Sequence, residues 1–485
     1  MRRRGREFFR VVSFARVYDR RVGKFRISVG YETGGVVSSR TVGVGEAFGL
    51  GVDEAQRFVL FDDVELRVGV GDVVYVTGDS GSGKSVLLRA FLGDLGGEAV
   101  DMAGVCVDVD RPVIDCVGGS FGEGLELLSK AGLNDAFLFV RRFRELSDGQ
   151  KYRFRIAKLM ESGKRWWVAD EFCSLLDRDT AKVVAFNLQK VARQLGKAVI
   201  VATSHGDLFE DLSPSVYVHK RFGKEISVRY FPNVPAKECS LTKEMCVEEG
   251  GFGDYKRLSV FHYRSSRCPP PRKIFVLRRG DELCGVIVYS FPSPVAFGRS
   301  RVWKGSFGEL QRDVSVVSRV VVHPKYRSIG LGVKLVRETL ARAGTPCVEA
   351  LAVMAKYNPF FERAGMQKVA ESKPSAGVLF AIGQLRGLGF DSALLGSVGE
   401  NRRLIERVGR SKIVKILEDL SKRDGVVRRR LLVLGSVYPS HGEFLEKLGR
   451  LGCGDLAVVL KRLAFMAQTK TYLFWRKSDS DNKRK

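Results

Sequence analysis

Short apolar runs of strand length alternate with longer amphipathic stretches along most of this chain. Residues 1 to about 45 carry alternating runs, FRVVSFARVY and KFRISVGYE, separated by Gly-rich turns, and they read as β-structure. From AFGLG to about Val234 the order is strand, Gly-rich loop, helix, then further strand–helix alternation, the pattern of an α/β fold. FPNVPAKE, Phe231 to Glu238, reads as a linker because prolines interrupt it and the pattern changes on either side. A helix is predicted around DYKRLSVFHYRSS, followed by a proline break at CPPPRK. The pair KIFVLRRGDELCGVIVYSF reads as a hairpin turning at Arg279-Gly280-Asp281. A third α/β block runs to about Gln384. From about Gly387 to Met466 the pattern is helical and basic, and it closes in a strand-like KTYLFWRK and a charged tail expected to fray. Four segments result: 1–45, 46–234, 235–385 and 386–485. The last joins the basic helices to the terminal strand.

Composition narrows this picture. The chain has 485 residues, 45% of them hydrophobic, enough for two or three domains with real cores. Its formal charge of +26 points to a polyanionic partner such as RNA, DNA or an acidic surface, or else to a solvated basic exterior. The cysteines lack a CxxC pair, and Cys106, Cys116 and Cys173 sit in apolar runs as small core residues. Cys239, Cys246, His262 and Cys268 fall within one stretch, but their spacing fits no standard zinc knuckle. No run approaches the roughly 18 apolar residues of a membrane helix. The basic start MRRRGREFFRVVSFAR lacks the continuous apolar core of a secretory signal. A soluble protein of a reducing cytoplasm is expected.

VVYVTGDSGSGKSVLLRAFL is a strand, a Gly-rich loop and a helix in the order a phosphate-binding loop requires. Gly78, Gly81 and Gly83 let the backbone of Gly78-Asp79-Ser80-Gly81-Ser82-Gly83 curl so that its N–H groups converge on phosphate oxygens, and the helix adds its positive N-terminus. Lys84 reaches the β/γ-phosphates of ATP, and the Ser85 hydroxyl ligates Mg²⁺. RWWVADEF reads as a buried strand ending in two carboxylates: Asp170 to hold Mg²⁺ through water, Glu171 to polarise the attacking water. AVIVATSH places His205 at the C-terminal end of another strand, where open α/β sheets bind ligands, as a γ-phosphate contact.

These residues resemble the ABC-type ATPases over roughly residues 48 to 225. LSDGQ, Leu146 to Gln150, is similar to that family's signature motif with Asp148 replacing the usual Gly; SLLD, Ser174 to Asp177, is similar to the D-loop, and His205 to the switch histidine. The resemblance implies that Ser147, Gly149 and Gln150 cap ATP held by a second subunit, with Asp177 nearby. With one P-loop and one signature, two copies are then expected to form a head-to-tail homodimer across two ATPs. No Gln lies between Ser85 and the signature, so the family's Q-loop residue is missing; Asp115, in RPVIDCVGG, is the stand-in metal ligand. In transporters that loop couples hydrolysis to the membrane domain, so no membrane subunit is expected. The adenine-stacking aromatic is Phe48 or Phe58.

VSRVVVHPKYRSIGLGVKLVRETLARAG again runs strand, turn, amphipathic helix. Its turn, Arg327-Ser328-Ile329-Gly330-Leu331-Gly332, lets backbone amides approach a diphosphate at a helix N-terminus. Followed by NPFFERAGM, it resembles the acetyl-CoA loop of the GNAT N-acetyltransferase superfamily. That resemblance places Val320, Val322 and Asn358 among the acetyl-CoA contacts. It also implies a tyrosine acid for the departing thiolate, and here Phe361 occupies the usual position with Tyr357 as the substitute. Glu349 and His323 are candidate bases.

Nearly the whole chain resembles a family of fused ABC-type ATPase and acetyltransferase proteins. The resemblance implies that residues 386–485 are an insertion in and completion of the acetyltransferase domain, with TKTYLFWRK a late strand of its sheet and the basic helices inserted before it. The expected fold class is α/β: an ABC-type P-loop ATPase domain, then a GNAT-like α+β domain with a basic helical C-terminal segment. The expected function is a soluble ATPase coupled to acetyl-CoA-dependent N-acetyl transfer, acting on RNA or a nucleic-acid-associated protein. The alternative is an ATP-driven clamp on nucleic acid whose GNAT domain senses acetyl-CoA without catalysis.

Overall fold

The computed structural model describes residues 9–19, 21–33, 37–52, 57–262, 268–353, 358–432 and 439–477. Three sheets organise them. The first is antiparallel, with β1 (Phe9–Asp19), β2 (Lys24–Thr33) and β3 (Arg57–Arg67) in that order. Phe25, Ile27 and Val29 of β2 are buried with Val74, Val76 and Phe91 in one core, so this sheet covers the face behind the P-loop helix. Between β2 and β3 the Gly-rich text forms a helix, Ser39–Phe48. Ser38 and Thr41 close a reciprocal cap at its start, and Gly49, at φ 64°, stops it. Those end signals outweigh the poor helix propensity of the glycines within.

The second sheet has the order β5-β6-β7-β4-β8-β9, built from β4 (Val73–Gly78), β5 (Ala99–Asp101), β6 (Trp166–Ala169), β7 (Ala198–Ala202), β8 (Val216–Lys220) and β9 (Ile226–Tyr230). All pairings are parallel except β8 with β9. Strands β4, β6 and β7 are buried along their whole length, which is why they read as unbroken apolar runs. Their shared direction brings the loops after Gly78, Ala169 and Ala202 to one edge.

The third sheet runs β10-β11-β12-β13-β14-β16-β15. Its strands are β10 (Cys246–Glu249), β11 (Pro271–Arg279), β12 (Glu282–Ser290), β13 (Val314–Val322), β14 (Cys347–Ala352), β15 (Gln367–Ser372) and β16 (Lys470–Arg476). The hairpin β11–β12 turns through Gly280, at φ 56°, as its spacing predicts. Strand β16 pairs antiparallel with both β14 and β15, which are consecutive in the chain. Between β15 and β16 the chain forms the helices Ala376–Gly387, Val398–Val408, Arg410–Arg423, Val427–Leu431, His441–Gly449 and Cys453–Met466. These helices close on an apolar core of their own, centred on Leu385, Leu417, Phe444 and Leu460.

The chain divides into two compact units. The first takes Met1–Arg267, Ile274–Ile287 and Val320–Leu335; the second takes Cys268–Lys273, Val288–Arg319 and Val336–Lys485. The segment carrying Arg327 to Gly332 thus belongs to the same unit as the P-loop. Among the described residues no helix is long and apolar enough to cross a membrane.

Candidate functional site

The P-loop joins β4 to the helix Lys84–Leu95. Gly78, at φ 140°, passes so close to β8 that a Cβ there would lie 1.9 Å from the Lys220 carbonyl oxygen, so only glycine fits. Lys84, 6% exposed, donates from Nζ to the carbonyl oxygens of Gly78 at 2.8 Å and Asp79 at 2.7 Å. Ser82 Oγ, buried within the loop, has no hydrogen-bond partner among the described residues. A Gly-rich loop with one buried ammonium and one unsatisfied buried hydroxyl suits a phosphate chain. Gly83 caps the helix in a left-handed conformation and is backed by Leu60 and Phe61 of β3.

Asp170 and Glu171 follow β6 at the same sheet edge. Asp170 Oδ1 accepts the Glu171 N–H at 2.9 Å, and Glu171 holds the left-handed φ of 47°. The Phe172 N–H donates to the Ala202 carbonyl at 2.7 Å, and Ser174 Oγ to that of Glu171 at 2.8 Å, which fixes the turn and leaves the Glu171 side chain exposed. His205, also exposed, follows β7; its carbonyl accepts the hydroxyl of buried Tyr75. The candidate donors for Mg²⁺ are the Ser85 hydroxyl and the Asp170 carboxylate. They suit an ion that takes one or two protein oxygens and completes its shell with phosphate and water. Asp115 is exposed on the turn Val113–Cys116, and no hydrogen bond or ion pair among the described residues joins it to either donor.

The signature residues start the helix Asp148–Glu161. Ser147 Oγ accepts the Gln150 N–H at 3.4 Å and Gln150 Oε1 accepts the Ser147 N–H at 3.0 Å, a reciprocal cap that presents Ser147 and Asp148 to solvent. Arg153 turns inward to the carbonyls of Gly149 (3.2 Å) and Gly132 (2.9 Å). Tyr152 OH accepts the Cys173 N–H at 2.8 Å, tying this helix to the turn before the D-loop. Of the basic text KYRFR, only Arg155 is exposed. Phe48 and Phe58 are exposed as well. A further exposed ring, Phe222, lies against Gly81 from the turn between β8 and β9, where no motif in the sequence marks it.

The second loop follows β13. His323 caps a short turn, Pro324–Tyr326, and the loop Arg327–Gly330 then leads into the helix Leu331–Thr339. Ser328 (φ 72°) and Gly330 (φ 91°) both take left-handed backbone. Ile329 and Leu331 anchor it by burial, while Ser328 and Gly330 are exposed. The Val322 carbonyl accepts Arg327 Nε at 2.9 Å. Burial pushes the His323 imidazole below its ordinary value, which keeps it neutral at pH 7 and able to accept a proton. Asn358 is exposed; Tyr357 lies outside the described residues. Val320 is partly buried on β13, and pairing of β13 with β14 stops at Val316 opposite Glu349.

Glu349 is not available as a base. Both its oxygens are held by Arg299, at 2.9 Å from Nε and 2.6 Å from Nη2, and Tyr472 OH donates to it at 2.7 Å.

A second charged cluster surrounds Asp179, on the helix Arg178–Gln194 that follows the D-loop. Its carboxylate meets Lys325 Nζ at 2.6 Å, Arg279 Nη1 at 2.9 Å and Tyr326 OH at 3.2 Å. Burial alone would raise its pKa, but the hydrogen bonds from Lys325 and Arg279 outweigh it and hold the carboxyl below its ordinary range. Because the folded value is depressed, the stabilisation is complete above the unfolded value of about 3.9 and is lost as pH falls through the folded one. Asp179→Asn is therefore expected to melt below the parent chain at pH 7, with the gap closing as pH is lowered through 4 toward 2. Thermal melts across that range check it; a gap that stays constant would contradict it.

The profile of the Acetyltransferase (GNAT) family matches residues 241–366. The cytochrome c biogenesis ATP-binding export protein CcmA of Brucella abortus is 30% identical over 175 residues, covering 30% of this chain and 78% of that protein. The methionine import ATP-binding protein MetN of Corynebacterium efficiens is 29% identical over 195 residues, 33% of this chain and 54% of its own length. The chain thus spans about half of that methionine-import relative. Among solved structures, a dimeric post-hydrolysis state of the ATP-binding cassette MJ0796 bound to ADP and Pi is 18% identical with a TM-score of 0.30, covering 36% of this chain and 94% of that one. The chain belongs to the ABC-type P-loop ATPases and carries a GNAT-family acetyltransferase domain fused behind the ATPase domain.

Proposed function

We propose that this chain binds and hydrolyses ATP and couples that cycle to acetyl-CoA-dependent acetylation of an amine. The observation that carries the reading is the presence, within one compact unit, of two loops of left-handed backbone at helix starts: Gly78–Lys84 after β4 and Ser328–Gly330 after β13. At the first, the P-loop amides and Lys84 hold the phosphates, Ser85 and Asp170 hold Mg²⁺, Glu171 polarises the attacking water and His205 contacts the γ-phosphate. Mg²⁺, when bound, neutralises charge on the phosphate oxygens. Ser147, Gly149, Gln150 and Asp177 complete the site of a second copy, since Ser147 is satisfied by its own helix and still faces solvent. A head-to-tail homodimer is the assembly that uses it.

At the second loop, the amides around Arg327 to Gly332 take the diphosphate of acetyl-CoA, with Val320, Val322 and Asn358 lining its path. The amine nitrogen attacks the thioester carbonyl, its proton passes to neutral His323, the C–S bond breaks, and Tyr357 protonates the departing thiolate. The acceptor proposed is RNA or a nucleic-acid-associated protein in the cytoplasm. Supporting this, residues 386–469 carry 16 Lys and Arg against 9 Asp and Glu, and Arg423, Arg429 and Arg430 are exposed. On this view residues 386–469 are an insertion that the GNAT sheet closes behind with β16.

The rival reading, a nucleic-acid clamp that only senses acetyl-CoA, draws support from Phe361 at the usual acid position and from the engagement of both Glu349 oxygens. Incubating the full chain with acetyl-CoA, ATP and cell RNA or protein, and following free CoA thiol, separates the two. Thiol released with transfer of label supports catalysis; acetyl-CoA binding without release supports sensing. Retention of RNA or DNA on filters should fall steeply with salt, and salt-insensitive or absent retention would remove the nucleic-acid clause.

A further inference from the structure

We propose that Asp179 and Asn187, both on the helix after the D-loop, are positioning residues for the acetyl-CoA loop, and that through them acetyl-CoA affinity depends on the nucleotide bound at the ATP site. The proposal rests on the reading of Arg327–Gly332 as a diphosphate loop and of Ser174–Asp177 as a D-loop.

The helix Arg178–Gln194 begins on Asp177, whose Oδ1 accepts the Thr180 N–H at 3.1 Å. Asp179 then gathers Lys325, Arg279 and Tyr326 as described above. Lys325 Nζ also lies 4.0 Å from Asp177 itself. Two turns on, about 12 Å along the helix axis, Asn187 is 4% exposed and donates from Nδ2 to Ser328 Oγ at 2.8 Å. One helix therefore grips the loop at two points, Lys325–Tyr326 and Ser328. The second grip falls on a serine in a backbone region that non-glycine residues seldom occupy, φ 72°. A buried amide spent on that hydroxyl is a direct reason for the conformation to persist.

Arg327 ties the loop to the ATPase domain from another side. Its guanidinium donates to the carbonyl oxygens of Asn134, which precedes the signature, of Phe261 at 3.3 Å and of Val322 at 2.9 Å. A diphosphate that draws Arg327 toward it competes with the Asn134 carbonyl. Movement of Asn134 or of the D-loop helix accordingly alters what Arg327 and Ser328 can offer.

The charge-assisted contacts of Asp179, at 2.6 and 2.9 Å, tie the start of the helix after the D-loop to Lys325, which shortly precedes the acetyl-CoA loop, and to Arg279. A ligand that shifts one end must then change affinity at the other, by the same factor in both directions. The arrangement seen here spends Arg327 on carbonyls, so the shift that favours a diphosphate is the one that loosens them.

Calorimetric titration of acetyl-CoA into the full chain, with and without saturating β,γ-imido ATP and Mg²⁺, tests this. The analogue is expected to tighten acetyl-CoA by about fivefold or more, and acetyl-CoA should tighten the analogue by the same factor. In Asp179→Asn and Asn187→Ala the ratio should collapse toward one while each still binds the analogue; Asp179→Glu should restore part of it. Acetyl-CoA binding that the analogue leaves unchanged overturns the coupling, weakened binding overturns its direction, and full coupling in both variants overturns the positioning role of Asp179 and Asn187; each leaves the proposed function standing. Failure of acetyl-CoA to bind at all overturns the loop reading and this inference together. Should the variants not fold, the reciprocal pair of titrations on the parent chain decides the coupling.

Discussion

Glu171→Gln should bind ATP but turn it over at least about 100-fold more slowly than the parent chain. The substitution keeps shape and hydrogen-bonding capacity and removes only the negative charge that would draw a proton from water. The backbone around it is set by groups the change does not touch: the Asp170 carboxylate on its own N–H, Ser174 on its carbonyl, and Phe172 on β7. Loss of turnover is therefore attributable to the carboxylate. Phosphate release and equilibrium binding of labelled ATP, measured on the same preparation, check it. With hydrolysis blocked, ATP should also hold two copies together on size exclusion, and adding Ser147→Arg to place a bulky cation on the exposed signature should separate them. Full turnover in Glu171→Gln would sink the assignment of the general base.

The largest effect on stability is expected at Arg299. Arg299 and Glu349 are 5% and 2% exposed, and Tyr472 is fully buried. Glu349 sits on β14 and Tyr472 on β16, diagonal neighbours on one face of an antiparallel pair. Arg299 adds hydrogen bonds to the carbonyls of Ser293 at 2.8 Å and Pro294 at 3.1 Å, which fold the preceding loop onto the sheet. Burial and the nearby carboxylate push the Tyr472 hydroxyl far above its ordinary pKa, so it remains a donor throughout the physiological range. Arg299→Met strands a buried carboxylate with a single partner and should cost about 3–5 kcal/mol. Arg299→Met combined with Glu349→Gln should recover a good part of that, because the uncompensated charge goes with it. Urea unfolding of the two variants beside the parent tests both statements; equal midpoints for all three would refute them.

The parts of the site that the sequence displays are those built by neighbours. A P-loop is a strand, a turn and a helix in succession, and the pair Asp170–Glu171 directly follows an apolar strand, so local pattern suffices. The capping arrangement of Ser147 with Gln150 is visible for the same reason. What stays hidden depends on distance along the chain. Arg299 and Glu349 are fifty residues apart, and neither has a local signal that separates a buried pair from two surface charges. Asp179 and Asn187 lie on an amphipathic helix where polar residues ordinarily face water, and only the loop far downstream gives them partners. Phe25, Ile27 and Val29 alternate clearly enough to be read as a strand. That they pack beneath the P-loop helix follows from β3, more than thirty residues later, and not from their own stretch. The Ser39–Phe48 helix shows the reverse case: glycines obscured an element whose caps, Ser38, Thr41 and Gly49, were in plain view.

The position of β16 carries a consequence for how the protein is made. Strands β14 and β15 are separated in the sheet by a strand that the ribosome delivers only after the intervening helices. Until then both carry open ladder edges, and Glu349 waits on its strand without the Tyr472 hydroxyl. The helical segment, with an apolar core of its own, can condense during that interval. Once condensed it would shorten the effective loop between β15 and β16, and with it the search that so non-local a pairing demands.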